Sequence, residues 1–386
     1  MISLLIREWK QCLHDPRRYI YLFGAALVYM LIFSILFKPN VVDSIPTVIY
    51  DAENSFLTRK LVQAFTDGDR FRMISYCSTE EEMKSYLRNQ EAYIAIYIPE
   101  DFSKTVKTGK SQNILLMVDS SDIMIPGAAL EETEELMDRC SDDLAVERLE
   151  YKTGMSKDKL EGRVRPVTRN IRVLANPVMG YEYFYLLGLL VAAFQQGIFF
   201  TTGAAVQYEL EKRTNLAPWK IAAEKVSYYT LMGMVSFSIV LFLLLHVLHF
   251  RMECPLPLLM GAAFLYTFAT ASLGVAFSSC FHSEEAFCKG SIMYPLAGFI
   301  LSGYTWPVSA MPEGMQLLVN LLPQTVFANM FRELLLQGHG FDMGMKLLQL
   351  FVTGIILSAA AVLILERKEK NPCPEPAPEA RQGIGR

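Results

Sequence analysis

Six stretches of this 386-residue chain, residues 19–37, 183–208, 226–250, 257–281, 290–312 and 347–365, contain no Asp, Glu, Lys or Arg. Each is near or above the roughly 20 residues with which an α-helix crosses about 30 Å of hydrocarbon. Lipid offers backbone groups no hydrogen bonds, so such segments must satisfy their own, which a helix does. More than half of the charged residues fall instead between positions 38 and 180. The segregation predicts an α-helical membrane protein of six transmembrane helices, with a charged domain inserted between the first and the second.

Arg7, Lys10, Arg17 and Arg18 precede the first apolar run, as in a secretory leader. The run is longer than a leader's apolar core, however, and Lys38-Pro39-Asn40-Val41 offers no small-residue cleavage site, so it reads as a retained anchor. Lysine and arginine near helix ends resist translocation. One side carries that basic group together with Lys212, Arg213, Lys220, Lys225, Lys289, Arg367, Lys368 and Lys370, whereas the short loops opposite offer mainly Arg251 and Arg332. Both termini are therefore expected in the cytoplasm and the inserted domain outside.

Ile2, Ile6, Trp9 and Leu13 recur at helical spacing among Arg7, Glu8, Lys10 and Gln11, the pattern of a helix lying in the membrane interface, which Asp15-Pro16 then breaks. The expected divisions are this cytoplasmic helix over 1–18, the first transmembrane helix over 19–38 and an extracytoplasmic α/β domain over 39–180. In that domain β-rich runs at 47–50, 71–76, 92–98 and 114–118 alternate with helical patterns starting near Asn54, Thr79 and Glu100. Thr79-Glu80-Glu81-Glu82 carries a capping-box spacing. A polar helix is expected over 128–152, its acids Glu131, Glu132, Glu134 and Glu135 forming a solvated face. Transmembrane helices 2–6 occupy 181–366. After the fifth helix, residues 304–340 are apolar but interrupted by Pro307, Pro312 and Pro323, and their short apolar pieces read as re-entrant helices. The proline-rich end, 367–386, reads as a disordered cytoplasmic tail.

Several chemistries lose support. The seven cysteines stand singly, without the paired spacing of a zinc site, and 36 basic against 40 acidic residues leave no excess for nucleic acid. Thr108-Gly109-Lys110-Ser111 imitates the end of a phosphate-binding loop but has Lys104 where the leading glycine belongs, so no ATPase site is expected in this chain. His246 and His249 share a helix face without a matching carboxylate or cysteine, which favours packing over a metal site. No Ser/His/Asp or Cys/His signature is present, so the chain is not read as an enzyme. Gln195, Gln196, Thr201, Thr202 and Gln207 make the second helix the most polar. They either bond helix to helix or line a pathway. The segment Glu209-Leu210-Glu211-Lys212-Arg213-Thr214, continued by Pro218-Trp219-Lys220 and Glu224-Lys225, reads equally as a plain connection or as a docking surface.

The stretch Ser302-Gly303-Tyr304-Thr305-Trp306-Pro307, then Met311-Pro312, Leu322-Pro323-Gln324-Thr325, Phe331-Arg332 and Gly338, resembles the signature after the fifth helix of ABC-2 transporter permeases, the membrane subunits of ABC exporters. Val48-Ile49-Tyr50-Asp51 with Asn54-Ser55, and Ile98-Pro99-Glu100-Asp101-Phe102, resemble the opening strand and a strand exit of that family's large external domain. Glu211-Lys212-Arg213-Thr214 departs from the family pattern, with arginine where glycine is usual. The resemblance implies a bacterial inner-membrane exporter of a drug-like, lipid-like or other amphiphilic substrate, with a second permease copy or a related permease. Separate ATPase subunits would hold ATP and magnesium, and a periplasmic adaptor with an outer-membrane channel could complete the assembly. Coupling to the ATPase would run through Trp9, Glu209, Glu211, Lys212, Thr214 and Lys225. Gln195, Gln196, Thr201, Pro307, Pro312, Pro323 and Arg332 would belong to the pathway or its re-entrant segment. The alternative is a membrane-anchored binding or sensing protein without transport.

Overall fold

The computed structural model describes residues 2–38, 43–108, 110–121, 124–156, 160, 164, 180, 182–212, 216–340 and 342–370. The chain forms two compact units, residues 41–172 and the remainder.

In the first of these, strands and helices alternate: β1 (Ile45–Asp51), α3 (Phe56–Thr66), β2 (Phe71–Tyr76), α4 (Glu80–Arg88), β3 (Ile94–Ile98), α5 (Phe102–Thr108), β4 (Leu115–Val118) and α6 (Met124–Thr153). The sheet order is β2-β1-β3-β4, with β1 parallel to β2 and β3, and β4 antiparallel to β3. Strands buried on both faces lose polar alternation. Accordingly Val48, Ile49, Ile94, Ala95 and Ile96 are all inaccessible. One face packs Ile49, Phe65, Phe71 and Ile96 with α3, α5 and α6, while the other packs Val48, Ala95 and Met83 with α4.

Two caps fix helix starts. At α3, Ser55 accepts from the Thr58 N–H at 3.2 Å and Thr58 Oγ1 accepts from the Ser55 N–H at 2.9 Å, a reciprocal box. At α4, Thr79 accepts from the Glu82 N–H at 3.2 Å, but Glu82 Oε2 accepts from Ser78, one residue earlier than the expected box. Cys77 and Cys140 are free thiols. Of the phosphate-loop imitation, Gly109 lies outside the described residues, as does the tail from Asn371.

The other unit is helical. It contains α1 (Ile2–His14), α2 (Pro16–Leu36), a π-turn (Glu182–Leu186) running into α7 (Leu187–Glu211), α8 (Pro218–His246) and α9 (Leu256–Ser279). Then follow α10 (Glu284–Ser291), α11 (Met293–Phe299), a π-turn (Ile300–Tyr304), a 3-10 turn (Val308–Ala310), α12 (Glu313–Asn320), α13 (Pro323–Gln337) and α14 (Met343–Lys370). Among the described residues five helices are long and apolar enough to cross a membrane: α2, α7 with its π-turn, α8, α9 and α14. The run 290–312, read from sequence as one span, is divided between α10, α11 and the second π-turn. Pro295 has no N–H to give the Ser291 carbonyl, which accounts for the break. Gly303, at φ +92°, then ends the run in a conformation that favours glycine.

α7 is the centre of this unit, packing against α2, α8, α9, α10, α11 and α13. Small residues permit the approaches. A side-chain carbon at Gly274 would lie 2.9 Å from the Phe199 carbonyl oxygen, and one at Gly197 would lie 3.0 Å from that of Tyr21. By contrast α2 and α14 present large apolar side chains outward, among them Ile20, Leu31, Ile35, Leu348, Ile356 and Leu363.

α13 ends on Gly338, whose φ is +75° and whose N–H bonds the Leu334 carbonyl at 3.2 Å. A Cβ there would stand 2.7 Å from the Glu253 carbonyl oxygen. Gly338→Ala should therefore lower stability by at least about 1–2 kcal/mol, the usual penalty of the left-handed conformation. A thermal melt of the purified protein in detergent tests this, and an unchanged midpoint would contradict it.

Candidate functional site

Ionised side chains at the ends of apolar helices are costly to bury unless paired. The helical unit buries six together where α1, α2, the end of α7 and the start of α8 meet. Glu8, Glu224 and Lys225 are fully buried, Glu209 is 1% and Arg18 5% exposed, and Arg7 is partly buried. Three cations face three buried carboxylates, and Arg18 also pairs with the partly exposed Asp15 at 3.4 Å.

The pairing is continuous. Arg7 Nε donates to Glu224 Oε1 at 3.0 Å and Arg7 Nη2 to Glu224 Oε2 at 2.5 Å, the forked geometry that suits guanidinium and carboxylate. Arg7 Nη2 also donates to Glu209 Oε1 at 3.0 Å. Lys225 Nζ donates to Glu8 Oε2, and to Glu209 Oε1 at 2.9 Å. Glu8 Oε1 further accepts from Tyr229 at 2.9 Å and from Arg18 at 3.3 Å. Burial works against the Arg7 charge, but the bond to Glu224 and the charges of Glu209, Glu224 and Glu8 outweigh it, leaving the guanidinium pKa raised. Beside the network, burial pushes the Cys12 thiol up, so Cys12 is an inert packing group 3.4 Å from the Tyr229 hydroxyl.

This arrangement binds four helices by charge, α1, α2, α7 and α8. α1 lacks the length to cross a membrane, yet it is fastened to the spanning helices α7 and α8 by ion pairs that removal of one partner would leave uncompensated.

Of the residues singled out in the sequence, Glu209 and Lys225 lie in the network. Trp9 is half exposed and makes none of its bonds. Glu211 and Lys212 stand exposed at the end of α7, where Lys212 bonds the Tyr208 hydroxyl and lies 4.2 Å over its ring. Thr214 lies outside the described residues. Glu209 and the pair Glu224-Lys225 belong to helices, not to the loop in which the sequence reading set them.

Gln195 is buried on α7, and a Cβ at Gly298 would come 3.8 Å from its Nε2 and 2.4 Å from Gln324 Oε1, so α7, α11 and α13 approach one another there around two buried amides. Gln196 is half-buried. Thr201 turns back on its own helix, donating to the Gly197 carbonyl at 2.5 Å. Pro307 precedes the 3-10 turn, Pro312 precedes α12 and Pro323 opens α13. Arg332 donates to Asn329 Oδ1 at 3.1 Å and lies 5.1 Å over Phe184 and 5.0 Å over Tyr304.

Arg7, Glu8, Arg18 and Tyr229 were not singled out as site residues by sequence, and Glu224 was named only within the candidate docking segment. The available signal was Glu8 itself: it stands four residues before Cys12 on α1, and both are buried. A carboxylate sharing a buried helix face with a small apolar thiol needs a cation from elsewhere.

Residues 17–363 match the model of a family described as ABC-2 family transporter protein. Over 377 residues the chain is 22% identical to a probable multidrug ABC transporter permease, YbhR, of Escherichia coli, covering 95% of this chain and 98% of that one. It is 24% identical over 312 residues to the inner membrane transport permease YhhJ of Escherichia coli, covering 79% of this chain and 80% of the relative. The match spans nearly the whole of both units, and with it the apolar helices that make this a membrane protein: the chain belongs to the ABC-2 family of transporters.

Proposed function

We propose that this chain is the permease subunit of an ATP-driven exporter in a bacterial inner membrane, moving an amphiphilic substrate outward. The observation that carries the reading is the buried ion-pair network joining α1 to α7 and α8. Under this proposal the fastening lets force applied to the short amphipathic helix pass into the spanning helices. In this reading two ATPase subunits bind ATP with Mg2+ and close against Trp9, Glu211, Lys212 and the loop through Thr214. Arg7, Glu8, Glu209, Glu224 and Lys225 carry the displacement into α7 and α8, and Gln195, Gln196, Thr201 and Arg332 stand along or beside the path that opens. A second permease copy or a related permease supplies the opposite wall, and an adaptor with an outer-membrane channel could receive the substrate.

The excess of Lys and Arg flanking the ends that hold the network supports a cytoplasmic position for both termini. The names of the relatives, a multidrug permease and an inner membrane transport permease, support the substrate class and the location. Co-expression with a candidate ATPase chain tests the proposal: the two should co-purify, and the permease should change the ATPase rate in liposomes at least twofold. Failure of both would overturn it.

A further inference from the structure

A cleft of about 590 Å³ opens in the unit of residues 41–172, between the sheet and helices α3, α5 and α6. Its size falls within the roughly 300–1,000 Å³ typical of small-molecule sites. The walls are apolar, with the partly exposed Leu57, Met137 and Leu144 lining it over the buried Leu61, Ile96 and Phe102. Such a surface, left open inside a unit only one sheet thick, is unfavourable in water without an occupant.

The polar groups are few and one-sided. Lys60, Lys110 and Arg148 line the cleft against a single carboxylate, Asp143, although the chain as a whole is slightly acidic. Lys60 and Arg148 are exposed, so their charged ends reach water beside the apolar walls. Thr133 also lines the cleft, and its hydroxyl is buried without a hydrogen-bond partner, which leaves a polar group for an occupant to satisfy. Cys140 lies in the same lining, where burial and Asp143 push its thiol up against the opposing charge of Lys60.

We propose that this cleft binds an amphiphilic anion, an alkyl chain lying against Leu57, Met137 and Leu144 with its anionic head held by Lys60 and Arg148. The site stands apart from the ATP-driven reading, which its failure would leave untouched. An amphiphile of opposite charge shares the apolar contacts but meets repulsion at the rim, so charge separates a built site from simple greasiness.

The test is photolabelling of the full chain in phosphatidylcholine nanodiscs with a diazirine-bearing twelve-carbon fatty acid, adducts being mapped by peptide mass spectrometry. Adducts are expected on peptides spanning residues 57–61 and 137–148, reduced at least tenfold by excess laurate and less than twofold by dodecyltrimethylammonium. Lys60→Glu with Arg148→Glu, both exposed positions, should reduce the same adducts at least tenfold. Adducts confined to the membrane helices would overturn the proposal. So would cleft adducts that both competitors remove equally. Should the double variant fail to fold, the two competitors on the native chain still decide.

Discussion

Lys225→Met is expected to destabilise the protein by about 3–5 kcal/mol, the usual consequence of removing one partner from a buried ion pair. Met approximates the lysine stem, so packing is largely kept and the loss is electrostatic. Glu8 retains Arg18 and Tyr229, and Glu209 retains Arg7, but both lose an ammonium where they are buried. Lys212→Met is the matched control. Its ammonium is exposed and touches Tyr208, so it should shift stability by no more than about 0.5 kcal/mol. Thermal melts of both variants in the same detergent decide the matter, and equal shifts would mean that the network is not buried in the working protein. Buried pairs are poorly screened, so the difference between the variants should persist in high salt.

The second large effect is a charge exchange. Arg7→Glu alone would set a fourth carboxylate beside Glu8, Glu209 and Glu224, and Glu224→Arg alone would set an extra cation beside Arg7 and Lys225. Either should lower stability by about 3–5 kcal/mol and, under the proposed function, reduce transport at least tenfold. Combining them restores one cation and one anion at the same contact. The double variant should recover at least about 2 kcal/mol relative to the sum of the single changes, a coupling that the cycle isolates. Recovery of stability without recovery of transport would mark the Arg7 fork as part of the coupling device rather than a brace. Absence of any recovery would show that the two residues do not act through each other.

Much of the architecture was legible because its causes are local. The uncharged runs at 19–37, 183–208, 226–250, 257–281 and 347–365 lie on α2, α7, α8, α9 and α14, and the β-rich runs coincide with β1 to β4 within a few residues. Length and periodicity suffice for such elements. The run at 290–312 differs in detail from one regular helix because hydropathy does not register the backbone donor missing at Pro295 or the left-handed turn at Gly303.

The ion-pair network was hidden for a different reason. Drawing each span from the first to the last uncharged residue excludes charges from helices by definition, so Glu209, Glu224 and Lys225 fell into a loop. Their burial depends on α1 returning from the start of the chain, with partners 202 and 217 residues away along the sequence. Sequence supplied the ingredients at Glu8 and Arg7, but only tertiary structure joins them. The cleft beside α6 was likewise invisible, since Leu57, Met137 and Leu144 read individually as ordinary core residues.

The enclosure of α7 divides the membrane unit by what each helix responds to. α2 and α14 offer broad apolar faces outward and must match their hydrophobic length to the surrounding bilayer, tilting where thickness changes. α7 meets protein on nearly every side, so lipid composition reaches it only through its neighbours. A thicker or thinner membrane would thus reorient the rim of the molecule while leaving the helix that carries Gln195 and Glu209 nearly fixed, a built-in insulation of its centre from its solvent.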